Sequence, residues 1–526
     1  ILSGLVGSEM CIRDRCWPMS LRFWSDLKPN RYMRLSEGPE VMPGLHLSPG
    51  MHAMLQAERT AADNGEGEYP PDPFTPGHVS AFVKWLQEVP QQSVSGLPRY
   101  MQTLFDERTD LQSVMPDVPW GELKSYAWWA YLYGRYEVET FRYFGHKMRV
   151  KRDVHPEGRI TGGVDTIGFF NAEHGIGEAA RLLVEAMRAV EVPVSTIGYR
   201  NTESRQQHPF VTEEIGRYRT VIAAINAELN EPMRQTFGKF FFHDTYVIGQ
   251  WFWELETAPP WYKSAYKYVD ELWAPTRFIE EMLRNEAPSN VHVEYMPLPL
   301  RKPRVIENAH RSDLGLDGRF MFLFTFDFMS VAKRKNPFGL IEAFKKAFAP
   351  GEGPQLVLKC SNGKTRPEKF AALEKAAEGR NDIVIINRYL DSELLAGLMN
   401  MCDCYVSLHR SEGLGLTIAE AMLLGKPVIA TGYSGNLDFM SEETSYMVPW
   451  SRVKVGPDAE AYDPDATWVE PDLDASAALM RHVYENPEDA RKKALLGKAD
   501  LETRFTPERT GARMRSRLEH LWREQS

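Results

Sequence analysis

A chain of 526 residues is too long for one hydrophobic core, so two or three domains are expected. Its 43% hydrophobic and 25% charged residues suit an ordinary globular protein, and a net charge of −10 excludes nucleic acid as the main partner, since phosphate binding needs a basic face. No run of about 18 apolar residues occurs to span a bilayer, no secretory leader is visible, and the five cysteines lack zinc-type spacing, which fits a reducing cytoplasm.

Residues 5–15, LVGSEMCIRDR, read as an in-frame translation of a sequencing adapter. Residues 1–15 are therefore set aside, Cys11 with them, and Met19 becomes a candidate start. Residues 16–155 are read as a helical extension. Within it, DNGEGEYPPDPFTPG, from Asp63, is a turn-rich linker. Val79, Phe82, Val83 and Leu86 then recur at helical spacing, as do Leu97, Tyr100, Met101, Leu104 and Phe105. A third helix is predicted around SYAWWAYLYGRYE, from Ser125. The aromatic cluster of Trp120, Trp128, Trp129 and Tyr131 suits core packing better than a carbohydrate platform.

From Val164 strands and helices alternate. VDTIGFF, PVSTIGY, YRTVIAAIN, KFFFHDTYVIGQWFW and VDELWAP read as strands, with a helix AARLLVEAMRAV after the GIGE turn. Pro297–Gly318 reads as a hinge. A second alternation follows, with strands RFMFLFTFDF, QLVLKC, DIVIINRYL, CDCYVSL and KPVIAT, and helices from Pro337, Glu368, Ser392 and Leu416. This rhythm predicts an α/β fold of two facing Rossmann-like domains, over 156–300 and 301–505, with ligand at the carboxyl ends of both strand sets. The last segment, 506–526, is predicted as a helix that packs back on the N-terminal half.

The most specific string is HRSEGLGLTIAEAMLLGKPVIATGYSG, from His409 to Gly435. A strand ends at Leu408, a glycine turn follows, and a helix opens near Leu416. Gly413 and Gly415 let backbone approach a ligand. The N–H groups of Leu416 and Thr417, with the helix dipole, form an anion site suited to a diphosphate. Glu412 stands just ahead of that site and Glu420 about one turn inside the helix, where both carboxylates can hold sugar hydroxyls.

This string resembles the Glu-x7-Glu signature of family 4 glycosyltransferases, retaining enzymes of GT-B architecture. The resemblance implies that Glu420 binds the donor ribose and that Glu412 contacts the donor sugar near the reacting carbon. FTFDFMSVAKRKNPFGLIEAFKKAF is similar to the family segment in which a basic residue grips the diphosphate; Lys335 is the matching residue, with Arg334 beside it. Met329 and Ser330 stand where many members carry an Arg after a glycine. Lys359, ending QLVLKC, matches another basic position near the phosphates. NRYLDSELLAGL resembles the nucleobase loop, with Tyr389 as the stacking candidate, and GYSGNLDFM, with Gly435 and Asn436, a loop beside the sugar.

On the N-terminal side EHGIGEAARL resembles the glycine loop that faces donor and acceptor. Gly175 and Gly177 there either admit ligand or simply start a helix. QWFWELETAPPWYKSAYKYVDELWAPTRF is similar to a W-x-W-E-L stretch of bacterial polysaccharide-type transferases. Trp253 and Glu254 occupy the place where other members carry a catalytic His, so Glu254 is open to an acceptor-side or a structural role.

The resemblance implies transfer of a hexose-like unit from a nucleoside-diphosphate sugar to a hydroxyl of a glycan, lipid-linked or small-molecule acceptor, with retained configuration and without a metal or other cofactor. Polysaccharide or glycoconjugate biosynthesis is the expected setting, in the cytoplasm, with peripheral association at the inner face of the membrane compatible with it. Two other readings share these residues: a GT-B epimerase or phosphorylase, and a noncatalytic sugar-binding protein of the same fold.

Overall fold

The computed structural model describes residues 40–42, 45–65, 68–75, 77–90, 97–114, 126, 159–202, 204–213, 216–238, 241–305 and 310–525. The adapter-like string, Met19, the cluster of Trp120, Trp128, Trp129 and Tyr131, and all but Tyr126 of the helix predicted around Ser125 lie outside the described residues. The chain divides into two compact units: 1–158 with Tyr199–Gln207 and Pro232–His243, and Arg159–Gly198 with His208–Glu231 and Asp244–Ser526.

The first unit opens on a short antiparallel pair, β1 (Glu40–Met42) and β2 (Leu45–His46), which corrects the purely helical reading of this region. Two- and three-residue strands are too brief to leave an alternation in the sequence. Helices α1 (Pro49–Asp63), α2 (Val79–Gln87), α3 (Arg99–Glu107) and α4 (Thr109–Val114) follow. Ser48 caps α1, its Oγ accepting from Met51 N at 3.2 Å. The apolar faces of α2 and α3 bury Phe82, Leu86, Tyr100, Met101 and Leu104. Arg99 ties α3 to α1 through Glu58 at 2.6 Å and lies over the Trp85 ring.

The second unit holds two six-stranded sheets, both wholly parallel. Its first half comprises β3 (Ile160–Gly168), α5 (Gly175–Ala189), β4 (Val194–Gly198), β5 (Tyr218–Ala224), β6 (Tyr246–Gln250), α6 (Tyr262–Ala265), β7 (Glu271–Ala274), α7 (Arg277–Glu286) and β8 (His292–Tyr295). The strand order is β4-β3-β5-β6-β7-β8. Its second half comprises β9 (Met321–Asp327), α8 (Ala332–Lys335), α9 (Pro337–Ala347), β10 (Gln355–Ser361), α10 (Pro367–Ala377), β11 (Ile383–Asn387), α11 (Ser392–Met401), β12 (Cys404–Ser407), α12 (Leu416–Leu423), β13 (Val428–Thr431) and β14 (Tyr446–Val448). Here the order is β11-β10-β9-β12-β13-β14. An antiparallel hairpin, β15 (Trp450–Lys454) with β16 (Thr467–Pro471), and helices α13 (Leu473–Glu485), α14 (Pro487–Arg504) and α15 (Pro507–Gln525) complete it.

The predicted strand KFFFHDTYVIGQWFW is corrected to the five residues of β6. Residues 241–244 form turns, with Asp244 at φ 54°, so the aromatic run reflects burial of Phe241 and Phe242 rather than sheet pairing. After Gln250 the chain leaves the sheet, and Trp251 and Trp253 are buried as loop residues. Trp273 on β7 is fully buried, its Nε1 donating to Glu271 Oε1 at 2.8 Å. Trp273→Ala should therefore cost about 3–5 kcal/mol of stability. Chemical denaturation would read this, and a loss below 1 kcal/mol would show that the sheet does not depend on this ring.

Helix α15 lies against α5. A Cβ at Gly511 would stand 2.0 Å from the Ala186 carbonyl oxygen, so the close approach requires glycine. Trp522 Nε1 donates to Thr220 Oγ1 on β5 at 3.1 Å, and Arg513 reaches Glu294 on β8 at 2.8 Å. No helix among the described residues is long and apolar enough to cross a membrane.

Candidate active site

In an open parallel sheet, ligands bind at the carboxyl ends of the strands where the strand order reverses. In the second half that point lies between β9 and β12. The short helix α8 after β9 ends in Lys335, and the loop after β12 carries Glu412. They meet: Lys335 Nζ donates to Glu412 Oε1, and Arg334 Nη1 lies 3.0 Å from Glu412 Oε2. Backbone shape aims these side chains. Val331 sits at φ 58°, a strained conformation for a β-branched residue, and its carbonyl accepts from Arg334 N and Lys335 N. Asn336, also left-handed, caps α9 by accepting from Gly339 N at 3.1 Å.

Glu412 is buried, which alone would raise its carboxyl, but Lys335 and Arg334 outweigh this and hold it at about 2. Arg334 is buried as well, and Tyr462, Glu412 and Glu254 nonetheless keep its guanidinium firmly protonated. Its Nη1 also donates to Ser411 O at 2.8 Å, so Arg334 supports Glu412 rather than standing open to solvent. Burial pulls the Lys335 ammonium down, with Glu412 opposing. Ser434, at φ 74°, accepts from Glu412 N at 2.8 Å, and Gly435 N donates to Glu412 O at 2.9 Å. A Cβ at Gly435 would stand 2.1 Å from the Gly413 carbonyl, so this crossing of two loops requires glycine.

Gly415, at φ 88°, begins α12 with no side-chain cap. The N–H groups of Leu416 and Thr417 at this terminus have no intrahelical acceptor, and the terminus follows β12 and Glu412 directly in the chain. Lys359, at the end of β10, is only 6% exposed and has no carboxylate within salt-bridge range among the described residues. Burial lowers its ammonium, with Asp327 opposing. Lys359 is thus the buried cation of this end of the sheet that no carboxylate pairs with among the described residues, close in the fold to the uncapped terminus of α12. Tyr389 is 45% exposed on the loop after β11.

Glu420 lies one turn inside α12, half-buried beside Glu178, Leu182, Leu300 and Arg301. Burial, reinforced by Glu178 and opposed by Arg301, pushes its carboxyl up to about 8 from an ordinary 4.5. The sign follows: above pH 4.5 the unfolded chain releases a proton that the folded one keeps, so stability falls as pH rises towards 8. Glu420→Gln should flatten that fall when unfolding is measured across this range. An unaltered slope would mean that the folded carboxyl is ionised throughout.

In the first half, His174 caps α5, its Nδ1 accepting from Gly177 N at 3.1 Å. A Cβ on Gly177 would collide with the carbonyl oxygens of Ala172 and Phe169, at 2.6 and 2.8 Å, whereas Gly175 faces open space. Gly177 is thus a packing residue, and only Gly175 remains as a place of ligand approach. Glu254 is drawn into the cluster, accepting from Tyr462 OH at 3.0 Å and lying 3.7 Å from Arg334. Sequence reasoning did not single out His174, Glu178, Arg301, Ser434 or Tyr462. Glu178 sits in the glycine loop and pairs with Arg301 at 2.5 Å, a contact between residues 123 apart with no local signal.

Two parallel Rossmann-like sheets with this site at a switch point make the protein an α/β GT-B fold. Residues 324–450 match the family model of glycosyl transferases group 1. A Bacillus subtilis (strain 168) protein named as a candidate glycosyltransferase, YtcC, is 25% identical over 175 residues. That match covers 32% of this chain and 42% of YtcC, so the chain spans well under half of that relative. Among solved structures, a sucrose-phosphate synthase from Thermosynechococcus elongatus superposes with TM-score 0.50 at 17% identity, over 69% of this chain and 99% of that one. Anabaena Alr3699/HepE, solved with UDP and glucose, gives TM-score 0.48 at 13% identity, over 68% and 100%. At 17% identity the likeness to the synthase is one of fold.

Proposed function

We propose that this protein is a retaining glycosyltransferase that moves a sugar from a nucleoside-diphosphate sugar to an acceptor hydroxyl in polysaccharide or glycoconjugate synthesis. The observation that carries this reading is the meeting of Lys335, Glu412 and the uncapped α12 terminus at the β9–β12 switch point, with Glu420 one turn further on. The match of residues 324–450 to group 1 glycosyl transferases supports it.

In this reading the diphosphate lies against Lys335, Lys359 and the N–H groups of Leu416 and Thr417. Glu420 accepts from the ribose hydroxyls, Tyr389 stacks on the base, and Glu412 holds a donor-sugar hydroxyl. The bond between the anomeric carbon and the phosphate oxygen breaks, and the electron pair leaves with the diphosphate. The acceptor oxygen bonds to the anomeric carbon on the same face, and its proton passes to the departing phosphate oxygen. Fixed cations and dipoles stabilise the leaving charge, so the step requires no metal.

Thermal unfolding with a panel of nucleoside diphosphates and their sugars tests the donor site. A ligand at a hundred times its Kd should add about 2.7 kcal/mol of apparent stability, and absence of stabilisation by every member would overturn the reading. Above pH 8, where the Glu420 carboxyl is ionised, Glu420→Ala should weaken the stabilising nucleotide roughly ten- to a hundredfold, the loss of charge-assisted bonds worth about 1.5–3 kcal/mol. Unchanged affinity in a folded variant would remove the ribose role.

A further inference from the structure

Of the described tryptophans two are exposed, Trp261 at 43% and Trp450 at 37%. Trp450 is anchored: its Nε1 donates to the Gly432 carbonyl at 2.6 Å, its ring meets Tyr433 edge-on, and Arg452 lies over it. Trp261 differs. Its ring rests edge-on against Trp253, at 6.1 Å and 90°, and its indole N–H makes no hydrogen bond among the described residues.

The support beneath Trp261 is rigid and leads to the site. Trp253 is buried, donates Nε1 to Thr257 O at 2.9 Å, and packs on Tyr262 and Tyr462 at 5.6 and 5.3 Å. Tyr262 OH donates to Phe252 O at 3.0 Å. Pro259 and Pro260 restrict the backbone just before the indole. The next residue after Trp253 is Glu254, held by Tyr462 and beside Arg334, which pairs with Glu412. The Trp253 carbonyl lies 3.4 Å from where a Cβ on Gly413 would stand, in the turn that carries Glu412. One buried indole therefore separates an exposed indole from the cluster around Glu412.

We propose that Trp261 is the stacking face for a pyranose unit of a saccharide acceptor, bound at least one sugar unit away from the hydroxyl that is glycosylated. The C–H groups on the flat side of a pyranose complement the negative face of an indole, while the indole N–H can donate to a ring hydroxyl. A pre-positioned aromatic loses little conformational entropy on binding. The acceptor class is then an oligosaccharide rather than a small polyol. This inference rests on the transferase reading.

The test is saturation-transfer NMR and calorimetry of the full chain with malto-, cello- and chito-oligosaccharides of one to five units, with UDP and GDP titrated in parallel. At least one oligosaccharide should bind, more tightly than its monosaccharide. Trp261→Ala should weaken it roughly tenfold, Trp261→Phe should retain most of the affinity, and neither should alter nucleotide binding. Oligosaccharide affinity unchanged in Trp261→Ala, or nucleotide binding without binding of any oligosaccharide, would overturn this inference alone. Failure to bind either nucleotide or saccharide would overturn the reading beneath it.

Discussion

Glu412→Gln should lower turnover roughly a hundred- to a thousandfold, the scale expected when one preorganised electrostatic contact to a reacting group is lost. It should also destabilise the fold. Glu412 neutralises two cations, Lys335 and the 4% exposed Arg334, and removing its charge leaves both inside the protein. Breaking a buried pair in this way costs about 3–5 kcal/mol. The cost depends on pH in a defined direction. Because the folded carboxyl titrates at about 2 rather than 4.5, the wild type holds this contribution in full above pH 4.5 and loses it as pH falls towards 2. Stability of the variant should converge on wild type only in that acid window. The double variant Glu412→Gln with Lys335→Met isolates the stability role: with the buried ammonium removed as well, part of the lost stability should return, and stability no better than that of Glu412→Gln would show that Lys335 is not what Glu412 balances.

Arg517→Ala should cost a similar amount without touching the site. Glu271, on β7, is fully buried and accepts from Tyr246 OH at 3.0 Å, Trp273 Nε1 at 2.8 Å and both Nε and Nη2 of Arg517 at 3.0 and 2.7 Å. Truncating the arginine leaves a buried carboxylate with neutral donors only, for a loss of about 3–5 kcal/mol. Proteolysis should then cut within α15 before other elements, since Arg517 fastens that helix to the sheet. Nucleotide affinity should stay within about twofold at temperatures where the variant is folded, a difference below 0.5 kcal/mol. A stability change smaller than that would mean that the pair is already screened by solvent.

Much of the second half was legible because its signals are local. A strand ending at a Gly-x-Gly turn and opening a helix leaves its period and its glycines in adjacent residues, and those residues form α12 and its approach. Other features depend on distant partners. Gly177 reads like a ligand-facing glycine, yet the carbonyls of Phe169 and Ala172 exclude a side chain there. The aromatic run from Phe240 carries strong β propensity, while positive φ at Asp244 and tertiary burial decide its shape. The four-residue β8 alternates Val293 and Tyr295 with polar residues but is too short to stand out, and the exposed hairpin strand β15 lacks an apolar alternation; neither was foreseen. Glu254, open to two roles in sequence, acquires partners 208 and 80 residues away in Tyr462 and Arg334; its place beside Glu412 comes from a crossing of loops that no short window contains.

Proton and phosphorus NMR of the products formed by purified protein from a stabilising nucleotide sugar and a bound saccharide tests the transferase activity itself. One equivalent of nucleoside diphosphate should appear for each new glycosidic linkage, with the anomeric configuration of the donor preserved. An epimerised nucleotide sugar without free nucleoside diphosphate, release of sugar 1-phosphate, or an inverted linkage would contradict it.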